Sequence, residues 1–528
     1  MPFSATVQLA TGRDGPIVVS HRNSAIPQIM SQESCALPVY IDGGASVRRS
    51  LAITIFLTTA VPLISADRLR AGAAQSVITP ELNGHTVYLA GFGHNRVATG
   101  VHDDLYARCL ALEIAKQALV ICAVDLIGLF YDDILTIRKA FEQKASPSTF
   151  LIVASTHTHA GPDMLGIYGP RTLESGIDPK YMDWADQRIA ATAANAVLAM
   201  EPAQLELARD GHPLLGMLQG EDRPPLVKDP FLYVMRLVAR STGQTIATLV
   251  NWSDHPEVLG RKNTEITSDY PHWIRDYLEK KLGGTALFFS SSIGKVSPLG
   301  DQVALLDPQT SKIAADGTWR KAELLGDELG RLAERALKSG TPVNVDSVRI
   351  RTGTVFVPMH NPNFRVAEAA GVFRGRKRLY TNGDPDPAVE TRDLPELGRV
   401  QYATGQDIQT EVNYIQLRSG GVPVAEFVTI PGEIYPELVN GGVAHYPGAD
   451  YPKALIEPVL RKQLKTKYQF IFGLGNDEIG YLIPKAEWDE KPPWLKNAAE
   501  PWYGEVNSVG PDAAGVIMRA LVALTSRP

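Results

Sequence analysis

The sequence predicts an α/β fold in which mixed sheets are flanked by helices and the working residues gather at the carboxyl ends of strands. Three observations predict it. From about Leu69 onward, short β-type apolar runs alternate with longer helical patterns, which is the rhythm of an α/β chain. Across 528 residues, 44% hydrophobic with 45 Gly and 37 Pro, the composition is that of a soluble globular protein with one large domain or two. Five of the β-type runs end in Gly, Pro, Asn or Ser beside a residue able to hold a ligand, and open α/β sheets bind at the carboxyl ends of their strands.

The N-terminus reads differently. Arg48-Arg49 precede an apolar stretch over 51–64, followed by Ser65-Ala66-Asp67. A positive start, an apolar core too short for a full span and small residues before a polar segment make a signal peptide, hence a secreted or periplasmic protein. Its late position implies that residues 1–66 are a non-native upstream extension plus the signal, ahead of a domain over 67–528. Beyond it, Cys109 and Cys122 sit in apolar runs and read as buried free thiols, with a disulfide as the alternative.

Helices are expected over 184–200, where Trp184, Ile189, Ala193 and Val197 recur at helical spacing, over 323–338 and over 512–525. Segments 345–358 and 413–430 read as longer strands, the second broken into a hairpin at Gly420-Gly421. Residues 361–411, with Arg374-Gly375-Arg376-Lys377-Arg378 and Asn382-Gly383-Asp384-Pro385, leave this rhythm and read as a lid insertion or surface excursion.

The chemistry lies at the strand ends. Phe150–Ala154 runs into Ser155-Thr156-His157-Thr158-His159-Ala160-Gly161-Pro162; if the extended conformation persists, both imidazoles face one volume. The other endings are Asp254-His255-Pro256-Glu257, Lys295-Val296-Ser297-Pro298, Pro431-Gly432-Glu433, and Gly475-Asn476 leading to Tyr481. Imidazoles plus a carboxylate suit catalytic zinc. His102, Asp125, Asp269 and His272 read as structural, Asp269 as a helix N-cap.

In this order the motifs resemble the neutral/alkaline ceramidases, zinc amidases marked by a Thr-His-Thr-His-Ser-Gly-Pro segment, here Thr156–Pro162, with Gly100-Val101-His102 and Ala107-Arg108 upstream. The resemblance spans roughly residues 70–525 and implies an amidase cleaving the N-acyl bond of ceramide or a related N-acyl lipid. It implies His157, His255, Glu433 and Tyr481 as zinc ligands, His159 as proton donor or oxyanion contact, Ser297 as nucleophile or substrate-orienting hydroxyl, and Tyr503 as an oxyanion partner. Water activated by the zinc is favoured over attack by Ser297, which has no His-carboxylate partners at readable spacing. Where the family carries Asn or Asp this chain has Lys295, its Asn-Arg arginine has only Arg209 and Arg223 as nearby candidates, and no C-terminal immunoglobulin-like module follows.

An amidohydrolase barrel and a metallo-β-lactamase-like hydrolase are competing readings, each at odds with part of the motif pattern or its spacing, and a non-catalytic exported binding protein is a third, kept open by Lys295 and the missing arginine. The mild acidic excess, a net charge of −6, argues against a basic surface for nucleic acid. A small-molecule or lipid substrate, reached by transient membrane-surface contact, is the expected partner.

Overall fold

In the computed structural model, residues 69–526 are described, apart from 146–147, 222, 301, 374–379, 382–383 and 386–405. The expected signal segment and most of the expected lid fall outside them. Two sheets stack face to face. The larger has nine strands, with eight in the order Thr285–Ser290, Thr245–Trp252, Leu232–Ala239, Glu201–Asp210, Leu69–Val77, Tyr106–Ile114, Gln117–Val124, Phe150–Ser155, and Thr341–Val343 pairing with Glu201–Asp210. The smaller is built on Ser347–Pro358, Gln406–Ser419, Val422–Thr429 and Tyr468–Phe472.

Period-two alternation builds the layers. In Gln117–Val124, Leu119, Ile121 and Ala123 point into the core between the sheets, where they join Leu249, Phe289, Phe427 and Phe470. Val120, Cys122 and Val124 point outward under Tyr131–Glu142 and Pro179–Leu198. Helices Tyr270–Leu282 and Trp319–Lys338 cover the other half of that face, and Ala513–Ser526 covers the outer face of the smaller sheet. The result is a helix–sheet–sheet–helix sandwich. Phe427 and Phe470 stack at 4.7 Å in its middle, and burial of each such ring contributes roughly 1.5–3 kcal/mol.

The helix starts follow from local chemistry. Asp178 accepts from the backbone N–H of Lys180 and Tyr181 ahead of Pro179, and Thr318 caps Lys321. Asp269 takes the cap position expected of it, accepting from the N–H of Tyr270, Val258 and Leu259. The hairpin at Gly420-Gly421 forms as expected, both glycines having positive φ, but its first strand begins at Gln406 rather than 413. Within the expected loop, Asn361 caps a helix over Pro362–Ala369.

Cys109 and Cys122 are not free thiols. They face one another across antiparallel neighbours and form a disulfide. Two residues in adjacent edge-to-edge runs looked like core filling because the pairing of those runs is a tertiary fact.

Candidate active site

Three pairs of parallel strands deliver their carboxyl ends to one place. Gln117–Val124 pairs with Phe150–Ser155, Thr245–Trp252 with Thr285–Ser290, and Val422–Thr429 with Tyr468–Phe472. The loops leaving them carry His157, His255, Ser297, Glu433 and Tyr481. Side chains and backbone stitch those ends together. Asn251 bonds to Phe289 O, Ile471 O and Ile471 N, Asn476 bonds to Val153 through both its backbone and side chain, and Ser290 Oγ donates to Thr156 O.

His157 does not lie on an extended strand. The strand stops at Ser155 and His157 turns into the left-handed region, with φ at 70°. Such a conformation costs a non-glycine residue about 1–3 kcal/mol and is found where the surroundings impose it. Here the N–H of Thr156 and His157 bond to Val124 O and Leu126 O, Thr158 Oγ1 donates to Thr267 O, and the buried Asp125 accepts from Thr156 Oγ1 and Arg275. The turn, not strand alternation, brings the imidazoles of His157 and His159 together. Their ring centroids are 5.0 Å apart, and both lie within 5.4 Å of His255.

One nitrogen from each of these three buried rings lies within 4.8 Å of the others, a cluster compatible with a metal ion. Two of the rings are oriented by backbone: His157 Nδ1 donates to Ile127 O at 2.5 Å and His255 Nδ1 to Val296 O at 2.6 Å. That fixes Nε2 of each towards Glu433, whose Oε2 is 3.5 Å from His157 Nε2 and 2.9 Å from His255 Nε2. Glu433 and Tyr481 are register partners in a two-stranded parallel pair, so the tyrosine reaches the same volume, 6.5 Å from the His255 ring centre to centre. His157, His255, Glu433 and Tyr481 are thus brought together, a donor set of the kind that could hold a metal ion.

The electrostatics of the site follow from burial and from the charges that face one another there. Burial alone would lower the His255 pKa, yet the Glu433 carboxylate and its neighbours hold it up to about 9, so the ring carries a proton on the nitrogen that faces Glu433. Glu433 opposes its own desolvation through the two imidazoles and stays well below the usual carboxylate range. Burial and the Glu433 charge push the Tyr481 phenol well above its ordinary value, so it ionises only beside a cation.

His159 differs from the other two rings. Neither ring nitrogen makes a hydrogen bond, although Nδ1 lies 3.1 Å from Glu257 Oε2. The contact brings the carboxylate charge against the ring dipole out of hydrogen-bond alignment. Burial lowers the His159 pKa to about 4, so the ring is neutral at pH 7. Arg96 Nη1 fixes the adjoining backbone, donating to His159 O at 3.0 Å and Ala90 O at 2.7 Å.

Glu257 is the residue that sequence reasoning missed. It stands two positions after His255, and its Oε1 accepts from Ser297 Oγ at 2.5 Å while Oε2 faces His159. Ser297 therefore does have a carboxylate beside it, one that faces His159 with its other oxygen, contrary to expectation from spacing. Burial would raise Glu257, but His159, His255 and the Ser297 hydroxyl hold it down to about 2. A carboxylate so acidic is a poor base for a hydroxyl proton, which favours an orienting rather than nucleophilic Ser297.

Tyr503 opens a short helix, 5.8 Å from the Tyr481 ring and more than half exposed. Lys295 does not add a free charge to the site: its buried ammonium lies 2.9 Å from Glu221 and 2.8 Å from Glu437, and bonds to Pro225 O. Arg223, not Arg209, reaches this neighbourhood, where it forms two bonds to Glu505; Arg209 sits over the Phe231 ring. His102 stacks on Trp319 at 3.8 Å and pairs with Asp103, with His272 3.5 Å from the same carboxylate, in a separate cluster.

No family model and no curated protein sequence matches this chain. Solved structures do. A ceramidase complexed with C2 superposes with a TM-score of 0.60 at 15% identity, over 87% of this chain and 75% of that one. Neutral ceramidase from Pseudomonas aeruginosa gives 0.59 at 16% identity, over 87% and 74%. The chain has the fold of these ceramidases, and the mixed sheets flanked by helices expected from the sequence are the architecture observed.

Proposed function

We propose that this protein is an exported zinc-dependent amidase that hydrolyses the N-acyl bond of a lipid amide, ceramide or a related N-acyl lipid, to a fatty acid and a free amine. The observation that carries the reading is a buried His157–His255–Glu433–Tyr481 donor set opening onto an apolar channel lined by Phe130, Leu165, Met359, Phe364 and Phe373. A zinc ion held by those four residues would acidify a water molecule and polarise the acyl oxygen.

The chain's own residues supply the rest. His159 is neutral at pH 7, so it can take a proton from the attacking water and hand it to the departing amine. Glu257 faces the imidazolium formed in between and stabilises it. Ser297 Oγ, anchored on Glu257, orients the amide, and Tyr503 offers a hydroxyl towards the developing oxyanion.

Access by a lipid is supported by the channel mouth. Leu173, Val366 and Val506 line it and are each 40% exposed or more, a grouping suited to a transient membrane-surface contact. The Cys109–Cys122 disulfide supports export, since such bonds persist in oxidising compartments. The test is hydrolysis of N-acyl amides, ceramides of several chain lengths among them, with and without a chelator. Chelator-sensitive release of fatty acid is expected; a panel with no such cleavage sinks the reading.

A further inference from the structure

One loop, residues 293–298, touches three of the residues gathered at the candidate site. Gly294 N–H donates to Ile434 O at 3.0 Å, next to Glu433. Val296 O accepts from His255 Nδ1 at 2.6 Å, and Ser297 Oγ donates to Glu257 at 2.5 Å. The same loop is paired with a second one, Ser297 N–H donating to Gly220 O at 3.1 Å and Gly220 N–H to Ser297 O at 2.9 Å. A shift of this loop therefore moves the serine hydroxyl and the carbonyl that orients the His255 ring together.

The Lys295 side chain leaves the loop for a cage of its own. Its ammonium lies 2.9 Å from Glu221 and 2.8 Å from Glu437, donates to Pro225 O at 2.6 Å and to Arg223 O at 3.3 Å, and stands 5.4 Å from the centre of the Tyr435 ring. The lysine side chain is 3% exposed and both carboxylates are fully buried, so neither charge is answered by water. All five partners belong to two other segments, one following Gly220 and one following Glu433. Arg223 carries the connection further, because its guanidinium forms two bonds to Glu505 and one to Tyr435, tying the first segment to the turn that bears Tyr503. The backbone at Lys295 is left-handed, with φ at 63°, a conformation that a non-glycine residue keeps where its surroundings impose it. A compact ammonium on a flexible stem suits such a cage, whereas a planar guanidinium does not. Taking the ammonium away leaves two buried carboxylates facing each other without a cation, which drives the segments apart.

We propose that Lys295 is a positioning residue for the site: its ammonium is an internal cation that clamps the Ser297 loop to the segments following Gly220 and Glu433, and so fixes the Ser297 hydroxyl and the Val296 carbonyl behind His255. This rests on the amidase reading above for what the loop is positioned to do. The clamp itself is a matter of charge, and charge can be returned to the cage from outside.

The experiment uses the full-length protein at saturating zinc and the variant Lys295→Ala. The atoms removed are those of n-propylamine, which is protonated at neutral pH, and the cage lies behind the cavity lined by Leu299, Tyr435 and Trp502. In the folded variant, amide exchange in peptides containing Gly220 and Ser297, followed by mass spectrometry, should become roughly tenfold faster. Its kcat/KM on N-acyl amides should fall by roughly ten- to a hundredfold, as expected when a reacting group is misplaced by about an ångström. n-Propylamine should restore both with a saturable dose dependence, and 1-propanol neither. Lys295→Met, which keeps the hydrocarbon stem without the charge, should be as defective as the alanine variant. The proposal is overturned by exchange and kcat/KM like the parent's in Lys295→Ala, by activity retained in Lys295→Met, or by no recovery even after refolding in the amine. Should Lys295→Ala fail to fold, Glu437→Gln takes its place: it leaves the ammonium and removes one carboxylate charge, and unchanged exchange at Gly220 and Ser297 overturns the clamp. A parent protein that cleaves no amide defeats the amidase reading, while the exchange rates still decide the clamp.

Discussion

At the scale of single residues, the two histidines of the Thr156–Pro162 segment are separated by their second partners. His157 Nδ1 is spent on Ile127 O and its Nε2 faces Glu433, whereas both nitrogens of His159 lack hydrogen bonds. His157→Ala should therefore lose the metal. His159→Ala should keep it and lose about 10²–10⁴-fold in kcat, the usual range for a general acid–base group; metal content by emission spectrometry beside turnover checks both, and metal loss in His159→Ala would make that ring a ligand. Protons and metal compete for His255. In the metal-free protein its pKa is raised to about 9, so zinc has to displace the proton that faces Glu433. Apparent zinc affinity should therefore rise with pH between about 6.5 and 9, with proton release seen by calorimetry in buffers of different ionisation enthalpy. The same raised pKa stabilises the metal-free fold fully below about pH 6.5, and that contribution fades as pH rises through 9. A flat affinity profile would mean that His255 does not carry that proton.

At the scale of elements, the site depends on loops packed backbone against backbone. Gly294 lies where the Ser297 loop crosses Glu433–Ile434, and its N–H bonds to Ile434 O. A Cβ there would stand 2.6 Å from Glu433 O and 2.6 Å from the Tyr435 ring. Gly294→Ala should cost about 1–3 kcal/mol by overpacking and weaken zinc binding by moving Glu433, read by denaturant titration and metal affinity together. Stability loss with unchanged affinity would show that the loop yields instead of the ligand strand. Much of this was legible in the sequence, because each ending announces itself locally: apolar run, breaker, ligand-type residue. Helices at 184–200 and 323–338 came within a few residues of Pro179–Leu198 and Trp319–Lys338 for the same reason, since helical spacing is a local property. What could not be read was non-local. Glu257 meets Ser297 across 40 residues, and the left-handed turn at His157 is imposed by Val124, Leu126 and Asp125 rather than by its neighbours in sequence.

At the scale of the whole molecule, the sandwich places both sheets' carboxyl ends at one rim, and its integrity rests on strand pairs far from that rim as well. Cys109 and Cys122 illustrate the point: they lie outside the inter-sheet core, beneath the two helices that cover that half of the sheet. Their spacing of 13 residues could not reveal a bond, because Tyr106–Ile114 and Gln117–Val124 had to be paired in register first. Closing a loop of that size stabilises a fold by about 3 kcal/mol, chiefly by restricting the unfolded chain. The Cys109→Ala/Cys122→Ala double variant should therefore lose roughly 2–4 kcal/mol, seen as a lower midpoint in denaturant, while metal content and kcat stay close to those of the parent, since neither sulfur approaches the strand-end loops. Protein made in a reducing cytosol should show the same lowered midpoint and recover it on oxidation. If the reduced and oxidised forms unfold together, the bond contributes nothing to the fold and no longer supports an oxidising destination for the chain.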